Sequence, residues 1–162
     1  MMTITIVSTA DRPDLVTTTG TWRWEEFVKD GMELSEILRL EAECASNGAL
    51  MPTVLVMLDE QRPVGMVALC LDDLEGRPDL NPWLAELYVD PAHRGKGHAL
   101  RLIEELEALA RSSDIERLSL YTSTAQGLYS LAGWTTTETF ERRGKTFSHF
   151  PSCRSTYSCI LL

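Results

Sequence analysis

The sequence lacks the features that mark membrane-spanning and secreted proteins. No apolar run approaches the roughly 20 residues that a transmembrane helix needs. The first residues, MMTITIVSTADRPD, have neither the basic segment nor the long apolar segment of a secretory signal. We therefore expect a cytoplasmic protein with no membrane association.

Cysteine and histidine are sparse and are not arranged as metal ligands. The four cysteines are Cys44, Cys70, Cys153 and Cys159, and no two of them form a CxxC pair. Three scattered histidines have no metal-ligand spacing. We predict reduced thiols and no metal, and a Cys153–Cys159 bridge stays open.

Basic residues are also in the minority, with 15 Lys and Arg against 24 Asp and Glu and a formal net charge of -9. A negative surface repels the phosphate backbone of nucleic acids, so we expect no nucleic-acid partner. The same charge is compatible with a cationic substrate such as an amine.

The order of apolar patterns along the 162 residues predicts a single α/β domain over residues 1–162. TVLVMLD and VGMVALCL flank residues 60–63 and predict a β-hairpin. Apolar residues three and four positions apart predict helices over ELSEILRLEAECAS and HALRLIEELEALAR. We expect a mixed, mostly antiparallel central sheet of six to seven strands, flanked by helices.

The most informative segment is Val89–Ala110, in which a strand, a glycine-containing turn and a helix follow one another. Backbone amides at a helix start converge on anions, and Gly95 and Gly97 would allow the close approach this requires. No GxxxxGK[ST] string is present, and Leu100 stands where a dinucleotide fingerprint needs Gly or Ala. Two glycines alone leave open a connection that binds nothing.

The spacing of further residues favours an anion-binding turn, because it resembles the signature of a known family. Arg94, Gly97 and Ala99 hold the three defining positions of [QR]xxGx[GA], which resembles the acetyl-CoA signature of the GNAT superfamily of N-acetyltransferases. GLYSLAGW at 127–134 resembles the LYxxxGF/W segment of that family. The predicted order of elements is similar as far as about Phe150. The resemblance implies an acetyl-CoA-binding core at about 83–134 and leaves 151–162 as an atypical C-terminal extension or a last strand.

The resemblance also implies which residues bind the cofactor. The preceding strand is expected to splay from its neighbour at a bulge, so that its main chain pairs with pantetheine, while amides of the turn hold the pyrophosphate. The implied pantetheine residues are Leu87, Tyr88 and Val89, and the implied pyrophosphate residues are Arg94, Gly95, Lys96, Gly97, His98 and Ala99.

Two of the implied cofactor positions carry unusual side chains. His98 replaces a small aliphatic residue, and we favour a solvent-facing side chain over a phosphate contact. Thr122 stands where the family often has asparagine, so its hydroxyl, or that of Ser123, would contact the cofactor.

Two residues are candidates for the chemistry. Tyr129 is in the position of the tyrosine that GNAT enzymes carry near the CoA sulfur, so we predict a general acid, with a packed structural tyrosine as the alternative. Glu86 lies in the apolar strand WLAELYV and is predicted to be the base, with a partly solvated residue as the alternative. Trp22, Trp24 and Trp83 either line an acceptor pocket or, as we favour, pack internally.

These residues predict an N-acetyltransferase that moves the acetyl group of acetyl-CoA directly to a primary amine of a small molecule or an exposed peptide. Two alternatives stay open: an acyl-CoA-binding sensor without turnover, and an acyltransferase that uses a longer acyl-CoA. Whether the protein forms a homodimer is also open.

Overall fold

The computed structural model describes residues 3–73, 76–135, 138–142 and 145–150. Its helices are α1 (Val16–Arg23), α2 (Leu34–Ser46), α3 (His98–Ser112) and α4 (Gln126–Leu131). Its strands are β1 (Ile4–Ser8), β2 (Thr53–Asp59), β3 (Arg62–Cys70), β4 (Trp83–Val89), β5 (Leu120–Thr122), β6 (Glu138–Arg142) and β7 (Lys145–Phe150). The predicted α/β class and the flanking helices are confirmed.

The predicted hairpin joins β2 to β3 through two residues, Glu60 and Gln61. Their φ angles are 48° and 77°. Positive φ at both central residues is the conformation that matches the twist of two paired strands. The hairpin therefore forms although neither position carries the asparagine or glycine that favours this turn.

Two helices of the N-terminal segment pack closely at Gly20. A Cβ atom there would lie 2.7 Å from Cδ2 of Leu38 on α2, which is closer than side-chain atoms normally approach. The five residues after α1, Trp24–Val28, continue it as one π-helical turn. Glycine thus allows α1 to approach α2, and this approach places the last turn of α1 beside Glu41.

The prediction of one sheet with six to seven strands is wrong. The described strands form a four-stranded sheet in the order β1-β2-β3-β4 and a three-stranded sheet in the order β5-β7-β6. β1 pairs antiparallel with β2, and β7 pairs antiparallel with both β5 and β6. A continuous sheet would need a ladder of paired residues between β4 and β5. The described residues instead form one isolated parallel bridge there, between Trp83 and Ser119.

The chain forms two compact units, whose boundaries fall inside β3, β4 and α3. Unit 1 comprises the described residues of 1–68 and 86–102, and unit 2 those of 69–85 and 103–162. In unit 1 the five residues 64–68 of β3 form a run that is buried on both strand faces. Such a run is typical of a strand inside a sheet whose two faces are covered.

Several predictions concern parts of the chain that lie outside the described residues, including the 151–162 segment and the Cys153–Cys159 bridge. Cys44 is a free thiol, as expected. No helix in the described ranges has both the length and the apolar character needed to cross a membrane.

Candidate active site

The strand that leads into the glycine turn is interrupted at Glu86. This residue has a φ of 55°, a left-handed conformation that is rare for residues other than glycine. Before it, the amide of Leu84 donates to the carbonyl of Ser119 at 2.7 Å. After it, the amide of Asp90 donates to the carbonyl of Val64 on β3 at 2.9 Å. The irregularity lies in the strand for which the resemblance implied a bulge.

The glycine turn, residues 94–97, has a left-handed backbone at both of its glycines. Gly95 and Gly97 have φ angles of 78° and 80°. A Cβ atom added at either position would meet no heavy atom of the described chain within 4 Å. The amide of Arg101 makes a helical hydrogen bond to the carbonyl of Gly97 at 3.2 Å. The amides of residues 98–100 precede it, where a helix has no carbonyl partners of its own.

The side chain of Arg94 folds back onto β4 instead of extending from the turn. Its Nε donates to the carbonyl of Val89 at 2.8 Å, and its guanidinium carbon lies 5.8 Å from the ring centroid of Tyr88. Asp90 also fixes the local backbone, since its Oδ1 accepts from the amide of Ala92 at 2.9 Å. The side chains of Asp90 and Arg94 therefore hold the turn against the end of β4.

His98, the first residue of α3, is buried with 6% of its surface exposed. The expectation of a solvent-facing side chain is therefore wrong. Its Nε2 has no hydrogen-bond partner among the described residues. Burial lowers the pKa of His98, and the positive charge of Lys96 lowers that pKa further, so the imidazole is neutral at neutral pH. Packing at the helix start, which sequence spacing does not reveal, explains the difference.

The carboxylate of Glu86 belongs to an ion-paired cluster with Arg23 and Glu41. Arg23 Nε lies 2.5 Å from Glu86 Oε1, and Arg23 Nη1 lies 2.9 Å from Glu41 Oε1. The exposed fraction of the Glu86 side chain is 14% and that of Glu41 is 6%. Glu86 is therefore mostly shielded from solvent and paired with a cation. Its small exposed fraction distinguishes it from a freely solvated glutamate.

Tyr88, two residues beyond Glu86 on β4, forms an aromatic pair with Trp22 of α1. The ring centroids of Trp22 and Tyr88 are 5.0 Å apart. Burial raises the pKa of Tyr88, and the negative charges of Glu26 and Asp90 raise that pKa further. The Tyr88 phenol is therefore protonated at neutral pH.

The other two tryptophans considered for an acceptor pocket have structural contacts. Trp24 Nε1 donates to the carbonyl of Met32 at 2.8 Å. Trp83 is fully buried and donates to Asn81 Oδ1 at 2.6 Å. Internal packing, the alternative we favoured, accounts for both, whereas Trp22 adjoins Tyr88 of the strand expected to pair with pantetheine.

Within unit 2, Tyr129 is buried on α4, with 5% of its surface exposed. Its ring centroid lies 6.2 Å from that of Trp134, and its carbonyl accepts from the Trp134 amide at 3.0 Å. The LYSLAGW segment therefore forms a short helix closed by Gly133, whose φ is 93°. Packing against Trp134 fixes the ring of Tyr129, a property that a structural tyrosine and a general acid would share.

Thr122, at the end of β5, also has a local role. Its Oγ1 accepts hydrogen bonds from the amides of Thr124 and Ala125, each at 3.2 Å. These bonds satisfy backbone donors in the turn that precedes α4. The hydroxyl predicted to contact a cofactor is thus already engaged by the backbone.

A family model described as acetyltransferase (GNAT) family matches residues 17–134. The chain belongs to this family. The match includes residues of both units and ends at Trp134, the last residue of the GLYSLAGW segment. No curated protein is similar enough to be counted as a relative.

Solved structures of GNAT-type proteins share the fold. An acetyltransferase-like protein of Acinetobacter baylyi ADP1 is 14% identical with a TM-score of 0.71, covering 96% of each chain. The yncA protein of Salmonella typhimurium, solved with its cofactor acetyl-CoA, is 19% identical with a TM-score of 0.68, covering 94% of each. Aminoglycoside N-acetyltransferase AAC(6')-Iy, solved in complex with CoA, is 16% identical with a TM-score of 0.69 and covers 88% of this chain and 97% of its own.

The structure divides the GNAT site residues predicted from sequence between the two units. Unit 1 contains Glu86, the strand residues 87–89 and the residues 94–99, whereas unit 2 contains Thr122 and Tyr129. Sequence reasoning missed Arg23 and Glu41. A usable signal was present for Glu41, because it falls four residues after Ile37 on the apolar face predicted for α2.

Proposed function

We propose that the protein transfers the acetyl group of acetyl-CoA to a primary amine by direct transfer. The observation that carries the proposal is the glycine turn. Its two glycines have positive φ, their Cβ positions are empty, and the helix start that follows presents amides without helical partners. A pyrophosphate is the anion that matches such a backbone site at a helix N-terminus, and family membership supports its assignment to CoA.

The remainder of the cofactor is assigned to β4. We assign the main chain of Leu87, Tyr88 and Val89 to pairing with pantetheine, because Glu86 interrupts the strand immediately before them. The glycine-turn residues and the amides of His98 and Ala99 are assigned to the pyrophosphate. Thr122 is assigned a secondary part, since its oxygen already accepts two backbone hydrogen bonds.

The reaction needs a neutral amine, a stabilised carbonyl oxygen and a protonated leaving group. The amine nitrogen bonds to the thioester carbon, and the carbon–sulfur bond breaks as the carbonyl re-forms. Glu86 would accept the ammonium proton, through a water molecule, before the attack. Tyr129 would donate its phenolic proton to the departing thiolate, which a phenol with a pKa near 10 can do at neutral pH. The second proton lost from the amine nitrogen would return to the phenolate through solvent.

Acetyl-CoA binding tests the placement of the cofactor. A ligand at a hundredfold excess over its Kd stabilises the folded state by about 2.7 kcal/mol, which is roughly 5 to 10 °C in Tm for a chain of this size. We expect this rise in the wild type and its loss in Gly97→Val, whose side chain would occupy the empty space in the turn.

Gly48→Val is the matched control for this variant. Gly48 has a φ of 70° and also has no neighbour within 4 Å of an added Cβ, so the backbone cost of the substitution is similar. It follows α2, away in sequence from the glycine turn. A Gly97→Val variant that keeps the full rise in Tm would contradict our placement of the pyrophosphate.

Turnover distinguishes the transferase from the two alternatives. We expect thiol release from acetyl-CoA with some member of a panel of primary amines, and a decrease in kcat of about 10²-fold in Tyr129→Phe with little change in acetyl-CoA affinity. Binding without turnover on any amine would favour the sensor, and faster turnover with longer acyl-CoAs would favour the other acyltransferase. An unchanged kcat in Tyr129→Phe would exclude Tyr129 as the acid.

A further inference from the structure

One cationic side chain in unit 1 contacts two shielded carboxylates. Arg23, at the end of α1, uses Nε for Glu86 and Nη1 for Glu41, at 2.5 and 2.9 Å. The second carboxylate oxygen of Glu41 accepts from Thr19 Oγ1 at 3.4 Å. Two different nitrogens of one planar group thus join the bulge of β4 to α2, a geometry that a lysine could not reproduce.

The packing of α1 on α2 determines where this guanidinium lies. Gly20 allows the two helices to approach, and a Cβ there would be 3.4 Å from Cγ of Glu41. Arg23 follows one turn later on α1. The exposed fraction of its side chain is 28%, greater than that of either carboxylate, so the cation covers the cluster on its solvent side.

The charges in this cluster do not balance. One guanidinium faces two carboxylates, which leaves a net charge of -1 on the three side chains. The cluster also acts on Cys44 of α2: burial raises the pKa of its thiol, as does the charge of Glu41, while Arg23 lowers it. Glu86 also acts on this thiol. Glu41 and Glu86 therefore share the charge of Arg23.

We propose that Arg23 is a positioning residue that holds the Glu86 carboxylate in place and in its ionised form. In this proposal the negative charge of Glu41 partly offsets the stabilising effect of Arg23 on the ionised Glu86. The proposal rests on the function proposed above, in which Glu86 accepts the proton of the acceptor amine. Arg23 contacts both carboxylates, and loss of a neighbouring positive charge favours the protonated form of a carboxyl group.

The pH profile of kcat/KM tests the proposal through two variants with opposite effects. The relevant acidic limb is the one that Glu86→Gln removes. Arg23→Met removes the cation and should move this limb to higher pH by about one unit or more. Activity would then be lost at the acid side and recovered at alkaline pH. Glu41→Gln removes the second carboxylate and should move the same limb to lower pH.

A purely structural role for Arg23 would produce a different result. Loss of packing alone would lower kcat/KM at all pH values without moving the limb, and that result would overturn the proposal. Arg39→Met is the matched control, because Arg39 pairs with Glu43 at 2.7 Å on the exposed side of α2. Millimolar guanidinium should restore an Arg23→Ala variant, whereas urea, its neutral analogue, should not.

Titration of Glu86 itself separates this proposal from the transferase reaction. In protein labelled with carbon-13 at glutamate carboxyl groups, the resonance of Glu86 is the one missing from Glu86→Gln. We expect its titration to shift to higher pH in Arg23→Met and not in Arg39→Met, whether or not any amine is acetylated. An unshifted resonance would overturn the proposal, whereas a shifted resonance without turnover would instead contradict the proposed function.

Discussion

Replacing Gly65 by alanine should destabilise the protein, because β3 and β4 approach closely at this residue. An added Cβ would lie 2.9 Å from the carbonyl oxygen of Tyr88 and 3.1 Å from Cδ1 of Leu102. Carbon–oxygen contacts are normally about 3.3 Å or longer, and a backbone carbonyl cannot rotate away. The strands would have to separate by several tenths of an ångström at Tyr88.

The magnitude follows from two opposing contributions. Overpacking a buried site costs about 1 to 3 kcal/mol, and alanine recovers roughly 0.5 to 1 kcal/mol relative to glycine inside a strand. Subtracting the central values leaves an expected loss of about 1 kcal/mol, or roughly 2 to 4 °C in Tm. Because the displaced residue belongs to the strand assigned to pantetheine, the rise in Tm with acetyl-CoA should also shrink.

Urea unfolding followed by tryptophan fluorescence measures this loss, and an unchanged m-value would show that the unfolded state is unaffected. Gly127→Ala is the control of opposite sign. Its Cβ would meet nothing within 4 Å on α4, so restricting the unfolded chain should stabilise the protein by about 0.4 to 1 kcal/mol. If Gly65→Ala is as stable as the wild type, the close approach of the two strands is wrong.

Three further changes test the local contacts. Thr122→Val should lose the two backbone hydrogen bonds before α4 and about 1 kcal/mol of unfolding free energy in urea; equal stability would contradict a stabilising role for these bonds. Burial raises the pKa of Glu107, so the folded state retains that proton more tightly, and stability falls as pH rises from the ordinary glutamate pKa through the raised one. Glu107→Gln, which can still accept from Trp134, should therefore show a smaller fall as the pH rises above about 4 in urea titrations; an identical fall would refute this. Lys96→Ala should weaken acetyl-CoA binding by less than about tenfold by calorimetry, as expected of an exposed charge, and a loss as large as that of Gly97→Val would contradict it.

Local patterns predicted the elements well because each one depends on residues that are close in sequence. The helix predicted over ELSEILRLEAECAS coincides with α2, since its apolar residues repeat at helical spacing and Asn47-Gly48 follows with a φ of 70° at the glycine. The hairpin was predicted from two apolar runs and the short link between them. Its turn conformation was not, because Glu60 and Gln61 have no intrinsic preference for positive φ.

Contacts between distant residues were beyond the reach of these patterns. One sheet was expected, yet the single bridge between Trp83 and Ser119 depends on a register that no local pattern encodes. The partner of Glu86 was equally hidden, since Arg23 precedes it by 63 positions and reads as an ordinary helix-surface arginine. Only Glu41 carried a signal, as a charge on a predicted apolar face, and a buried charge of this kind requires a partner.

The proposed cofactor site at the glycine turn does not depend on the overall charge of the chain, which is -9. Of its two cations, Arg94 is engaged with the Val89 carbonyl and the Tyr88 ring, and Lys96 is exposed. Burial keeps His98 neutral, so it adds no charge. The attraction for an anion therefore depends mainly on backbone amides and the helix dipole, which act over short distances. Such a site requires correct φ angles at Gly95 and Gly97 more than it requires basic side chains.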